Sequence, residues 1–187
     1  MDHYQDITIL PDPEFSSALL MGALYNKLHR ALVALAATNI GVSFPQYSVK
    51  PKGVGAILRI HSDQESLNQL QKAGWLKGMT DHTGVTDILP VPGGVTHKLV
   101  TRRQFKTNVE RLRRRRMKRK SESYEAASEA IPQAIERKPD LPFITIRSAS
   151  TSQSFCLFIE QKDAQEAKGS GAFNSYGFSQ TTTVPWF

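Results

Sequence analysis

A single cysteine, Cys156, stands among 187 residues, so no internal disulfide can staple the chain and its stability must come from packing. Long uncharged apolar runs are also missing. The most apolar stretch, 15–37, is interrupted by Lys27, His29 and Arg30, and no basic-then-apolar signal segment opens the sequence. These absences predict a cytoplasmic protein without a membrane span. No GxxxxGK[ST] phosphate loop occurs, and the five histidines, His3, His29, His61, His82 and His97, lie too far apart to form a recognisable metal cage. The chemistry expected is therefore free of metal and cofactor.

What the chain has in excess is positive charge in one place. Segment 98–120 holds 12 of the 24 Lys and Arg residues and one acid, Glu110, giving it +11. The rest carries 12 basic and 16 acidic side chains, or −4, so the net charge of +7 averages two unlike parts. A mildly acidic body bearing a concentrated cationic element points to a polyanionic partner, because phosphates recruit cations through charge and counterion release. A solvated helix face, a nuclear-type address and a membrane-surface helix are the competing readings. The membrane reading fails because 111–120 contains only Leu112 and Met117 as apolar residues. On a helix, Arg111, Arg114, Arg115, Lys118 and Arg119 fall on one side, and such crowded cations repel one another unless a polyanion offsets them.

Periodicity organises the remainder as an α+β protein. Residues 3–9 read as a strand, and Pro11 and Pro13 break it. Leu20, Leu24, Leu28, Ala31 and Leu35 then recur at helical spacing through 15–37. Strands follow at 40–45 and 56–62, with a helix capped by Asp63 and stopped at Gly74, and a strand at 86–91. This β-α-β-β-α-β order is that of a ferredoxin-like domain, taken as residues 1–94 and closed by the Val91-Pro92-Gly93-Gly94 run. Residues 95–187 form a C-terminal α+β domain: a strand at 98–105, the arginine-rich helix with Asn108 as its cap, a second helix broken or kinked at Pro132, strands at 141–148 and 152–160, and a tail rich in Gly, Ser and aromatics.

Several residues carry candidate chemistry on their own. His29 lies well off the centre of the apolar face of its helix, free to face a cleft, although a lone helical histidine is more often structural. Arg102 and Gln104, two apart on an expected strand, project from one face; Arg offers a fork to guanine and Gln pairs with adenine. Ser148 alone reads as a turn serine, Phe155 as a core strand residue and Tyr176 as a packing aromatic.

The stretches MDHYQDI, PDPEF, KLHRALVA, IGVSFP, TRRQFKTNVERLRRRRMKR, LPFITIRSASTSQSFCLFI and SYGFSQTTTVPWF, spread in order through both domains, resemble the endoribonuclease family of type I-F CRISPR systems. That family cuts the precursor transcript at the base of each repeat hairpin and keeps the mature guide. The resemblance implies His29 as general base, taking the ribose 2′-OH proton so that its oxygen attacks the adjacent phosphorus, leaving a 2′,3′-cyclic phosphate and a 5′-OH. It implies Ser148 as holder of the reacting ribose, Ser150 and Thr151 as phosphate contacts beside it, and Tyr176 beside the histidine with its OH orienting the imidazole. Arg102 and Gln104 would read the base of the hairpin, Phe155 would stack under its terminal pair, and Arg111, Arg114, Arg115, Lys118 and Arg119 would hold the stem. The implied partners are the repeat hairpin or guide RNA and the other subunits of the type I-F surveillance complex. Ala149 and Cys156 depart from the family pattern; a basic residue in place of Cys156 would add a phosphate contact. A non-catalytic RNA-binding subunit is the rival reading. A DNA-binding regulator is weaker, since no helix-turn-helix pattern flanks the basic helix.

Overall fold

The computed structural model describes residues 1–105, 109–135, 140–148, 152–164 and 171–187. Among them the chain forms two compact units of mixed α/β structure, one joining Met1–Arg103 to Leu141–Phe187 and the other comprising Gln104–Asp140.

The larger unit begins with β1 (His3–Ile9), α1 (Ser17–Ala34), β2 (Gly41–Ser43), the small hairpin β3 (Ser48–Val49) and β4 (Lys52–Gly53), β5 (Ile57–Ser62), and α2 (Gln64–Lys72). It continues through β6 (Thr83–Val85), β7 (Leu89–Pro90) and β8 (Thr96–Arg103), and after the smaller unit through β9 (Phe143–Arg147), β10 (Ser154–Ala164) and β11 (Val184–Trp186). One sheet has the order β2-β5-β1-β6, with β7 also pairing β1; a second has the order β11-β8-β10-β9. In the first, Ile7 lies opposite Leu58 and His3 opposite Ser62.

Local chemistry sets the element ends. Ser16 caps α1, its hydroxyl accepting from Leu19 N at 3.3 Å, and the expected cap Asp63 accepts from Ser66 N at 2.8 Å. The stripe Leu20, Leu24, Leu28 and Ala31 of α1 is buried as its spacing predicts, whereas Leu35 is 39% exposed because the helix has ended before it. Leu24 and Leu28 are almost wholly buried, each worth roughly 1.5–3 kcal/mol of transfer free energy.

One expectation is corrected. The strand expected at 86–91 is reduced to β7, with β6 lying just before the expected start and Thr86, Asp87 and Ile88 between the two. Thr86 bonds to β1 through its side chain as well as its backbone: Asp6 N donates to Thr86 Oγ1 at 3.0 Å and Gln5 Nε2 donates to Thr86 O at 2.8 Å, which interrupts the ladder. The tail, whose composition gave no element, ends in β11, paired with β8 and held at Phe187, whose carbonyl accepts from Arg59 at 3.0 Å. The Val91–Gly94 turn lies within the larger compact unit. Chain on both sides of that turn contributes to one core, in which Ile7, Leu28 and Leu58 cluster with Val100, Ile144 and Leu157. β8 has to pair with β10, and α1 packs on β9, so sequence order and compactness part company.

The smaller unit pairs α3 (Val109–Lys120), the arginine-rich helix, with α4 (Tyr124–Ala130), and a single turn at Gln133–Ile135 follows the break expected near Pro132. Asn108, read as the cap of α3, lies outside the described residues.

Candidate active site

α1, β9, β10 and the C-terminal tail border a cleft of about 690 Å³ lined by His29, Asn26, Arg147, Ser148, Phe155 and Tyr176, among others. His29 is the histidine on its wall. His61, by contrast, is fully buried, with Nε2 at 2.8 Å from Ser43 Oγ, and burial and then the Arg59 charge lower its pKa to about 3. His82 is engaged by the Asp12 carboxylate at 2.9 Å.

The His29 ring is fixed from two directions. Its Nδ1 lies 2.7 Å from the Ser175 carbonyl oxygen. A carbonyl only accepts, so Nδ1 carries the proton of the neutral ring and Nε2 keeps the lone pair. The Tyr176 ring stacks on the imidazole at a centroid distance of 4.0 Å and an interplanar angle of 4°. Tyr176 is therefore beside His29, but it meets the ring face to face, and the hydrogen bond that orients Nδ1 comes from its neighbour's backbone instead of the tyrosine hydroxyl.

The tail is held rigidly enough to serve as that orienting wall. Asn174 Oδ1 accepts from Tyr176 N at 2.9 Å and Phe178 N at 3.2 Å, closing a tight turn. Gly177 completes it at φ +71°, a left-handed conformation, with Val42 packed where a side chain would stand. Four residues before His29 on α1, Tyr25 donates its hydroxyl to Tyr176 O at 2.5 Å. Burial and then the nearby Tyr176 hold the Tyr25 hydroxyl well above its ordinary pKa, so it remains a donor. One helix thus grips two consecutive carbonyls of the tail.

Ser148 follows β9; its N–H donates to Gln153 O and its carbonyl accepts from Ser152 N, both at 2.9 Å, which places it on the cleft wall with Phe155 of β10. Ser150 and Thr151 lie outside the described residues. Phe155 is partly buried against the core while lining the cleft. Arg102, on β8, holds its guanidinium 5.6 Å from the centroids of both Phe155 and Tyr176. Gln104 is exposed and stands beyond the end of β8 at Arg103, so strand alternation does not carry it onto the face of Arg102. Cations also reach the cleft from Lys27, Arg30 and Arg147; the Nε of Arg147 donates to Ser152 O at 2.9 Å.

In the smaller unit the arginines of α3 divide into two sets. Arg113 is buried: its Nη1 donates to Glu110 at 2.7 Å and its Nε to Ile131 O at 3.0 Å, with the Tyr124 hydroxyl alongside. Arg116 is paired with Glu122. These two hold α3 against the chain that follows. Arg111, Arg114, Arg115, Lys118 and Arg119 are all exposed on the helix. Among the described residues no cluster of three His, Cys, Asp or Glu is placed to hold a metal ion, and no helix is long and apolar enough to cross a membrane.

Sequence reasoning missed the Ser175 carbonyl, Tyr25, Asn26 and Arg147. A backbone acceptor leaves no trace in residue type. Asn26 does leave a signal, a polar residue one turn before His29 on the same side of an apolar helix.

Comparison with known proteins places these features in a family. The chain is 46% identical over all 187 residues to a protein of Pseudomonas aeruginosa (strain UCBPP-PA14) and 44% identical over the same length to one of Escherichia coli (strain UTI89 / UPEC). Each bears the name CRISPR-associated endonuclease Cas6/Csy4, and the alignments span the whole of both chains. A solved structure titled "An RAMP protein binding different RNA substrates" covers 98% of this chain and is itself wholly covered, at 13% identity and a TM-score of 0.36, too distant to bear on the reading. The model of the family described as CRISPR-associated protein (Cas_Csy4) matches residues 4–187, and with relatives this similar over their full length the chain belongs to that family.

Proposed function

We propose that this CRISPR-associated endonuclease is a metal-independent endoribonuclease that binds a repeat stem-loop, cuts the strand at its 3′ base and retains the product as guide RNA. The observation that carries the reading is the state of His29: Nδ1 bonded to a carbonyl, Nε2 left as the basic nitrogen, in one cleft with Ser148. Nε2 takes the proton of the ribose 2′-OH, the oxygen attacks the adjacent phosphorus, and the bond to the 5′-oxygen of the next nucleotide breaks. A 2′,3′-cyclic phosphate and a 5′-OH end result. The Ser148 hydroxyl, able to donate and accept, fixes the ribose for in-line attack, with Ser150 and Thr151 as phosphate contacts. Phe155 forms the stacking platform for the terminal base pair, and Arg102 and Gln104 read bases of the stem.

Within this reading the order β2-β5-β1-β6 supports a ferredoxin-like N-terminal half, 1–94, that supplies the base, while 95–187 supplies most of the grip on RNA. The protein acts in the cytoplasm alongside the other subunits of its surveillance complex. The decisive experiment incubates the cognate hairpin with the protein in EDTA and identifies the fragment ends. Cyclic phosphate and 5′-OH termini are expected; intact RNA bound to the protein would instead establish the non-catalytic binding subunit.

The exposed cations of α3 make a separate expectation. Log affinity for the hairpin falls linearly with log salt, and Arg115→Ala or Arg119→Ala makes the slope shallower by about 0.7–0.9, the change expected when one phosphate is no longer neutralised. Arg113→Ala is expected to destabilise α3 instead, since its partners are Glu110, Tyr124 and the Ile131 carbonyl. Unchanged slopes for both exposed arginines, measured by filter binding across a salt series, would remove α3 from the interface.

A further inference from the structure

β9 is the outer strand of the order β11-β8-β10-β9, and α1 packs against it. Ser148 N donates inward to Gln153 O. Successive residues of a strand direct their backbone groups to opposite sides, so the N–H and C=O of Arg147 point out of the sheet, where unpaired backbone groups need partners. The Asn26 carboxamide faces both at 3.1–3.2 Å, and because an N–H can only donate and a carbonyl can only accept, its oxygen is assigned to Arg147 N and its nitrogen to Arg147 O. One turn earlier on α1, Gly22 lies so close to the Thr145 carbonyl that any side chain there would collide with its oxygen. Gly22, Asn26 and His29 therefore form one stripe at i, i+4 and i+7: a backbone contact, a two-point hydrogen bond and the base.

We propose that Asn26, with Gly22, is a positioning residue for strand scission: by locking α1 to the outer edge of β9 it fixes the His29 imidazole relative to the Ser148 hydroxyl. The proposal rests on the roles given above to His29 and Ser148. Two hydrogen bonds to one residue resist both sliding and rotation of the strand end. Arg147 immediately precedes Ser148, so the constraint acts one residue from the group that holds the ribose. Gly22 permits the approach and Asn26 sets the register. With the carboxamide gone, the end of β9 and α1 are free to shift, and a displacement of about 1 Å in such geometry is enough to cost on the order of 10²-fold in rate.

The test uses the full chain and three measurements: single-turnover cleavage at saturating protein, affinity for a hairpin carrying a 2′-deoxy nucleotide at the cut, and the midpoint of thermal unfolding. Asn26→Ala is expected to lower the cleavage rate by about 10²-fold with affinity for the deoxy hairpin unchanged. Asn26→Asp, which keeps the acceptor for Arg147 N but presents a carboxylate oxygen to the Arg147 carbonyl, should also be slow, and it serves if the alanine variant does not fold. Gly22→Ala moves the rate in the same direction. Leu67→Ala, which empties core space beneath α2, is the control for lost stability. Parental rates in both Asn26 variants would overturn the proposal. So would a joint loss of rate and affinity, or a rate loss no greater than that of Leu67→Ala. If His29→Ala and Ser148→Ala themselves cut at the parental rate, the reading of the site fails instead, and the two failures are distinct.

Discussion

His29→Ala is expected to abolish hairpin cleavage while leaving hairpin binding intact. A general base stabilises the transition state and adds little to ground-state affinity, so its loss appears in the rate, by ~10²- to 10⁴-fold, and not in the dissociation constant. The surroundings of His29 make the substitution unusually clean. The imidazole donates to the Ser175 carbonyl and stacks on Tyr176, but the turn presenting both is held independently by the Asn174 side chain and by the Tyr25 hydroxyl on the Tyr176 carbonyl. Removing the ring therefore leaves the cleft wall standing. The check is single-turnover cleavage paired with filter binding on the same preparation. Collapse of binding along with cleavage would make the histidine structural.

The second large effect lies in the substrate. Replacing the single 2′-OH on the nucleotide 5′ to the scissile phosphate with hydrogen should stop cleavage and preserve binding, because the attacking atom is gone while the stem, phosphates and base edges remain. The all-RNA hairpin should be cut equally well with and without EDTA, since the nucleophile is the RNA's own oxygen and not a metal-activated water. Cleavage of the deoxy hairpin, or a strict need for a divalent ion, would overturn the chemistry even with RNA binding intact.

Local features of the fold were legible in the sequence. The helical stripe of α1, the cap at Asp63, the alternation of β9 and β10 and the concentration of charge in α3 all depend on neighbours within a few residues, and each stands where its pattern puts it. Elements whose ends are set by distant partners were not legible. The strand expected at 86–91 shrinks to Leu89–Pro90, with Gln5 and Asp6 bonded to Thr86 ahead of it, and the tail gains a strand because β8 offers it an edge. The arginines of α3 separate into a structural pair, Arg113 and Arg116, and an exposed set because acids at Glu110 and Glu122 bond to two of them.

The candidate site shows the same division at closer range. His29 was named through the family resemblance, and its helical position off the apolar stripe, a property of one segment, left it free to face a cleft. Its orientation comes from a carbonyl 146 positions away, which no residue pattern announces because every residue has a carbonyl. Tyr176 stacks instead of hydrogen-bonding because the Asn174 turn and the Tyr25 hydroxyl aim its backbone, and with it the ring, at the imidazole. The sequence by itself determined which side chains are available, which face of each element is apolar and where positive charge accumulates, since these follow from short-range periodicity and composition. Only the tertiary structure decided which groups meet. The hydrogen-bonding needs of an outer strand brought Asn26 to Arg147, and the closure of the tail brought Ser175 to His29.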